Sequence, residues 1–200
     1  MRIQIEESYQ QLKQDPYLEP IIEKWGKCSL KQGENYYWEL VRSILAQQIS
    51  TKVAQKLGAR FQEHFKGVIT PEAISRSSVE ELRGLGISAR KAETILTIAS
   101  SCEQGKIKLD DLDRKTDQEI QIELTKVKGI GSWTVTMFLI FALNRPRVIP
   151  SADFGIRKAI QIIYNLEELP SVDMVEEYYL AWKPHESAVS WYLWRSLENK

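Results

Sequence analysis

Apolar residues recur at helical spacing along almost the whole chain. Val41, Ile44 and Leu45 lie three and four apart, with Gln48 next on the same face, and Val53, Leu57, Phe61 and Phe65 repeat every four. Ala92, Ile95, Leu96 and Ala99 mark another amphipathic helix, and Ser88 before them reads as its N-cap. From Trp133 to Leu143 the residues are apolar on nearly all sides, as in a central buried helix. Ser151 reads as the cap of a helix carrying Ile156, Ala159 and Ile160, and Pro184 precedes a last helix with Val189, Trp191, Leu193 and Trp194. The period-two alternation of a strand is missing. The pattern predicts an all-α fold.

A chain of 200 residues accommodates two small helical lobes. The pattern places one lobe at 35–144 and builds the other from 1–34 packed with 145–200, with a cleft between them. The stretch 106–123 is rich in charge and reads as a solvated connection followed by an amphipathic helix.

Composition narrows the classes. An apolar fraction of 43% with 27% charged residues belongs to an ordinary globular chain. No apolar run reaches the ~18 residues of a membrane span, and the first residues lack the apolar core of a secretory signal. A cytoplasmic protein is expected, or a nuclear one in a eukaryote. Cys28 and Cys102 have no metal-ligand spacing, read as free thiols, and are too few for a four-cysteine iron–sulfur cluster. The formal net charge of zero argues against nucleic-acid binding through bulk positive charge, though not through a local patch and backbone donors.

Such a device is written at 124–134, which reads helix, tight turn, helix around Gly129-Ile130-Gly131-Ser132-Trp133. Glycines let the backbone turn tightly and let a phosphate approach it. The helix start that follows offers unpaired N–H groups and the positive end of a dipole. Lys126 and Lys128 add local charge. Close packing of two helices is the competing explanation of the glycines. Leu82 to Ser88 repeats the arrangement faintly, as simple turn chemistry or a second phosphate contact. Twenty residues beyond Trp133 stands Asp153, in the opening turn of the next helix, where the dipole favours a negative charge. A fixed carboxylate beside a breaking glycosidic bond stabilises the cation developing on the sugar. Trp133, Trp194, Trp191, Trp38 and Tyr37 are candidates to wall a pocket for a flat base.

These residues resemble the helix-hairpin-helix DNA glycosylase superfamily, and within it the DNA-3-methyladenine glycosylase II branch. The likeness spans most of the chain: residues 15–28, 40–50 with Leu-Ala-Gln-Gln-Ile-Ser, 85–92, the hairpin at 118–143, and Ala181-Trp182-Lys183-Pro184 with Trp194. The β domain that precedes these helices in some members is missing from the sequence, so the resemblance implies a compact form. It implies Asp153 as the catalytic carboxylate and Gly129 and Gly131 as the phosphate grip; Ser132 and Lys128, beside those glycines, are DNA-contact candidates read from the residues. It implies Gln48 as the wedge filling the gap left by an extruded base. Trp133 and Trp194 are implied as walls of the base pocket, with Met137 where a relative carries a pocket Tyr; Trp38 joins them as an aromatic candidate read from the residues. No cofactor is required for catalysis; a monovalent cation (Na or K) on the carbonyls of Thr125, Val127 and Gly129 is implied. His185 replaces a Trp and reads either as a cleft-lining group or as a surface residue at a helix start.

The slot of Trp133 holds a Lys in bifunctional relatives, where the amine attacks the sugar and the strand is later cut. Indole offers no such amine. The resemblance therefore implies a monofunctional enzyme in base excision repair, releasing 3-methyladenine and 7-methylguanine from double-stranded DNA as a monomer with no membrane association. A glycosylase for deaminated or oxidised bases, and a damaged-DNA-binding module without turnover, are the alternatives.

Overall fold

The computed structural model describes residues 2–198, and every regular element among them is helical. The chain divides into two compact units, one formed by Gly33–Phe138 and the other by Met1–Gln32 with Leu139–Lys200. In chain order, α1 (Ile5–Leu12) and α2 (Glu19–Trp25) open the split unit. The continuous unit holds α3 (Tyr36–Ala46), α4 (Thr51–His64), α5 (Pro71–Ser75), α6 (Val79–Gly84), α7 (Ala89–Glu103) and α8 (Asp117–Leu124). Helix α9 (Ser132–Phe141) carries the chain out of it. The split unit is completed by α10 (Phe154–Ile163), α11 (Val172–Tyr179) and α12 (Glu186–Ser196).

Short helices need their ends satisfied, because the first four N–H groups have no partner inside the helix. Side-chain caps supply one. Asn35, Ser50, Thr70, Ser88 and Ser171 each accept from the backbone N–H three residues on, and Ser78 with Glu81 and Thr116 with Glu119 form full capping boxes. In the continuous unit α7 is the central element and packs on α3, α5 and α6. Ala92, Ile95, Ile98 and Ala99 of α7, with Leu40, Val41 and Ile44 of α3, are fully buried. Each of the isoleucine, leucine and valine side chains contributes about 1.5–3 kcal/mol by leaving water.

The charged stretch departs from expectation. Its first part is not a solvated connection but a 3-10 turn, Leu109–Arg114, packed on α3. Leu109 and Leu112 fall on one side at the three-residue period of that helix and are buried, while Asp110 and Arg114 face water.

In the split unit α12 packs on α1, α2 and α10. Its buried face includes polar groups, and these find partners. Tyr192 donates to Gly26 O at 3.0 Å, Tyr179 shares a 2.9 Å hydrogen bond with Ser190, and Trp182 Nε1 donates to Asp15 at 2.7 Å. His185 is neither cleft-lining nor on the surface. It is 6% exposed, with Ser8 Oγ 2.9 Å from Nδ1 and Gln11 Oε1 2.6 Å from Nε2, so it fastens the start of α12 to α1. Both cysteines are free, and burial pushes each thiol up to about 11, which makes them poor nucleophiles. No helix among the described residues is long and apolar enough to cross a membrane.

Candidate active site and DNA-binding turn

The expected chemistry sits at two stations, one in each unit. In the split unit the station is Asp153. Ser151 does not cap α10: its hydroxyl donates to Glu176 at 2.9 Å. Asp153 is itself the N-cap, with extended backbone, and its Oδ1 accepts from Ile156 N at 3.0 Å. The same oxygen accepts from the indole Nε1 of Trp194 at 2.9 Å. Two donors on one oxygen, one from the backbone of its own helix and one from α12, fix the plane of a half-buried carboxylate. The N-terminal end of α10 adds a favourable field for its negative charge.

Trp194 is held in turn. Its ring stacks on Phe141 with centroids 5.5 Å apart and planes at 28°. Gly155, the second residue of α10, lets the indole come close: a Cβ there would stand 3.0 Å from Asp153 Oδ1 and 3.2 Å from Trp194 Cδ1. Beneath α10 and α12 lies the fully buried Tyr179; burial, with the charges of Asp153 and Glu186 adding to it, pushes its phenol far up. It stays neutral. Phe154, directly after Asp153, is 68% exposed.

In the continuous unit the station is the turn between α8 and α9. Here the two glycines have different reasons. Gly129 has φ +98°, a conformation that side chains avoid, and a Cβ on it would collide with Thr94. Gly131 has neither constraint: it is exposed, its φ is ordinary, and a Cβ would meet nothing within 4 Å. Its carbonyl accepts from Val135 N at 3.2 Å, so it opens α9. The N–H groups that follow in α9 point out beside an unobstructed backbone, a surface suited to an anion. Ser132 and Lys128 are exposed there as well.

The remaining expected residues fall as follows. Gln48 is exposed between α3 and α4, with φ +55°. Trp133 is half-buried in the first turn of α9, and Met137, one turn on, is buried. Trp38 stacks on Phe61 at 5.8 Å and touches Gly58, and Tyr37 is buried with its hydroxyl on Ile95 O. The Val127 carbonyl accepts from Ile130 N at 3.0 Å, and the Gly129 carbonyl accepts from Gln47 Nε2 at 3.0 Å. Each oxygen keeps a second lone pair, so neither hydrogen bond precludes a further ligand. A concavity of about 700 Å³ in the same unit is lined by Tyr37 but contains neither station; Glu34, Glu72, Asp110 and Asp111, against the single ammonium of Lys108, make its lining unsuited to phosphate.

Sequence reading missed three residues. Gln47 donates both amide hydrogens, to Gly129 O and to Thr134 Oγ1 at 2.8 Å. Lys91 Nζ donates to Leu45 O and Gln47 O, both at 2.8 Å. The Thr94 hydroxyl lies 2.8 Å from Arg90 O and 3.2 Å from Lys128 O. The doubled glutamine was the only local signal; apart from Thr94 with Arg90, the contacts join residues more than thirty positions apart.

Known proteins are similar to this chain in sequence and in fold. A putative DNA-3-methyladenine glycosylase of Bacillus subtilis is 34% identical over 90% of this chain, which spans 66% of that relative's length. DNA-3-methyladenine glycosylase 1 of Schizosaccharomyces pombe is 35% identical over 80% of this chain and 72% of its own. The structure of the S. pombe 3-methyladenine DNA glycosylase in complex with abasic DNA matches with a TM-score of 0.84 at 30% identity, over 95% of this chain and 96% of that one. Residues 41–185, which take in the Gln48 loop, the glycine turn and Asp153, match the model of the HhH-GPD superfamily of base excision DNA repair proteins, and to that family this chain belongs.

Proposed function

We propose that the chain is a monofunctional DNA glycosylase that releases alkylated purines, 3-methyladenine and 7-methylguanine, from duplex DNA by hydrolysing the N-glycosidic bond. The observation that carries this reading is the carboxylate of Asp153, fixed by Ile156 N–H and the Trp194 indole. Methylation at a ring nitrogen gives the purine a positive charge, so it departs neutral once the bond electrons pass to it. The sugar is left as an oxocarbenium ion. Asp153 stabilises that cation by proximity, and a water adds to the anomeric carbon and loses its proton to solvent. A cationic leaving group needs no general acid.

The turn at 129–131 holds the strand by its phosphate, aided by Lys128 and Ser132, while the Gln48 loop fills the vacated stack. Trp133 and Trp194 offer indole faces for a cationic ring. Thr125, Val127 and Gly129 would hold a monovalent cation, which supplies further positive charge beside the phosphate. With Trp133 in place of an amine, no Schiff base forms, and an intact abasic strand is the product. The working unit is one chain on one duplex.

Asp153→Asn tests the reading. Base release from methylated duplex should be lost while affinity for abasic duplex stays within about threefold. Turnover at the wild-type rate would remove Asp153 from the chemistry, and strand breaks appearing without alkali would contradict hydrolysis by water. A panel of duplexes carrying single deaminated or oxidised bases sets the substrate class.

A further inference from the structure

Of the two adjacent glutamines, Gln47 is half-buried, with its amide hydrogen-bonded within the protein. Gln48 is exposed and sits at φ +55°, a left-handed backbone unusual for a non-glycine residue. Such a conformation costs on the order of 1–2 kcal/mol and persists where the surroundings dictate it. Here they do. On one side of Gln48, the Gln47 amide places one hydrogen on the Gly129 carbonyl and the other on Thr134 Oγ1 in α9. The Lys91 ammonium, from α7, meets the last carbonyls of α3 at Leu45 and Gln47, the end of a helix where a cation is favoured. Lys91 has no carboxylate within ion-pair distance among the described residues, so its polar partners are those carbonyls. Thr94, one turn further along α7, reaches Lys128 O beside the glycine turn.

We infer that Gln47, Lys91 and Thr94 are positioning residues that lock the Gln48 loop to the glycine turn, so that gripping the phosphate and inserting the wedge are one rigid-body event. The inference rests on the proposed roles of that loop and that turn. Two separately mobile elements would each be ordered on the DNA, at a cost in side-chain and loop entropy for each. A pre-joined pair meets the duplex with the spacing from phosphate to wedge already set. The polar ends of the anchors are directed at protein groups. Gln47 acts through Gln48, and Lys91 acts through Gln47.

The experiment compares Gln47→Ala, Gln48→Ala, the double variant, Lys91→Met and Lys91→Arg in the full chain. Two probes are used: single-turnover release of 7-methylguanine from methylated duplex, and the fluorescence of 2-aminopurine beside a tetrahydrofuran abasic analogue, which reports wedge insertion. Gln47→Ala and Gln48→Ala should each lower the single-turnover rate about tenfold and suppress the fluorescence change, with affinity for undamaged duplex moving less than about threefold. The double variant should be no worse than Gln48→Ala alone, because residues acting through one another are not additive. Lys91→Arg, which keeps two donors for the carbonyls, should restore what Lys91→Met loses; a general loss of stability would not be rescued this way. If Gln47→Ala does not fold, the Lys91 pair decides alone.

Wild-type rates in Gln47→Ala, or a double variant whose defects multiply, would overturn the inference and leave the function standing. Wild-type insertion and excision in Gln48→Ala would sink the loop's proposed role, and the inference with it.

Discussion

Trp194 and Asp153, 41 positions apart in sequence, are joined by a 2.9 Å hydrogen bond from the indole nitrogen to the carboxylate oxygen that also caps α10. An indole placed only to stack on a base would not need its N–H there. Trp194 therefore has two tasks, an aromatic face held by Phe141 and a donor that aims the carboxylate. Trp194→Phe separates them. Phenylalanine keeps the stack and removes the donor to a charged acceptor, an interaction of about 1.5–3 kcal/mol. The single-turnover rate should fall about tenfold to a hundredfold, with affinity for abasic duplex little changed. A loss of affinity without loss of rate would leave Trp194 as a stacking wall alone.

Gly155 sets the distance at the same place. Alanine in a helix is more favourable than glycine by about 0.8–1 kcal/mol, so on propensity alone Gly155→Ala should stabilise α10. Its Cβ, however, would come to 3.0 Å from Asp153 Oδ1 and 3.2 Å from the Trp194 ring, tighter than an ordinary van der Waals contact. The carboxylate and indole must then move apart by a few tenths of an ångström. The expected outcome is a melting temperature at or above wild type with a clear loss of excision rate. Full activity in Gly155→Ala would show that the Asp153–Trp194 distance has slack.

Much of this was legible in the sequence. The apolar spacing of α3 and α7 follows from packing one face; in α4 it holds for Leu57 and Phe61 while Val53 is exposed, and Ser88 caps α7 as its position predicts. The glycine pair marked a turn between helices, and the turn is there. What was hidden depends on partners far along the chain. Ser151 and Asp153 are both good caps, and the choice between them rests on Glu176, which takes the serine. Gln47 and Gln48 are chemically identical, and only the position of Gly129 and Thr134 decides which turns inward. The 3-10 turn at 109–114 was masked by its charges, because three-residue spacing of two leucines is too short a signal. His185 gave no sign of burial, since its partners Ser8 and Gln11 lie at the other end of the sequence.

Gly129 and Thr94 make a second strict pair. Gly129→Ala meets two obstacles, a φ of +98° that an L side chain resists and a Cβ that would come within 3.0 Å of both Thr94 Cβ and Cγ2, nearer still to its hydroxyl. Thr94→Ala removes the hydroxyl and methyl of the second obstacle but keeps its own Cβ at 3.0 Å, and it leaves the first obstacle untouched. Gly129→Ala should therefore lower the melting temperature markedly and weaken duplex binding about tenfold or more, with partial recovery of stability in Thr94→Ala/Gly129→Ala. Full recovery would show that the backbone angle is unstrained. Gly131→Ala meets no internal obstacle, so a folded, stable variant that binds duplex poorly would locate the phosphate at that exposed backbone; unchanged binding would place it elsewhere.

His185 predicts how the fold responds to acid. Burial holds its imidazole below the usual histidine value near 6.5, with Glu7 and Glu186 opposing that shift through their charges. Above that value the ring is neutral in both folded and unfolded chains and carries no penalty. As the pH falls below it, the unfolded chain takes up a proton that the folded chain resists. Unfolding is then favoured, and stability is lost until the pH reaches the lower folded value, where the difference levels off. The melting temperature should drop by a few degrees between pH 7 and pH 5, before the ordinary carboxylate range is entered. His185→Gln replaces the ring with a non-titrating amide: it should be less stable than wild type at neutral pH, where the fit to Ser8 and Gln11 is lost, and the gap should narrow on acidification. The difference between the two proteins cancels the contribution of the exposed His64–Glu81 pair, common to both. A gap that widens toward pH 5 would mean that the folded protein prefers the protonated ring, with both nitrogens donating to Ser8 and Gln11, and would reverse the sign argued from burial.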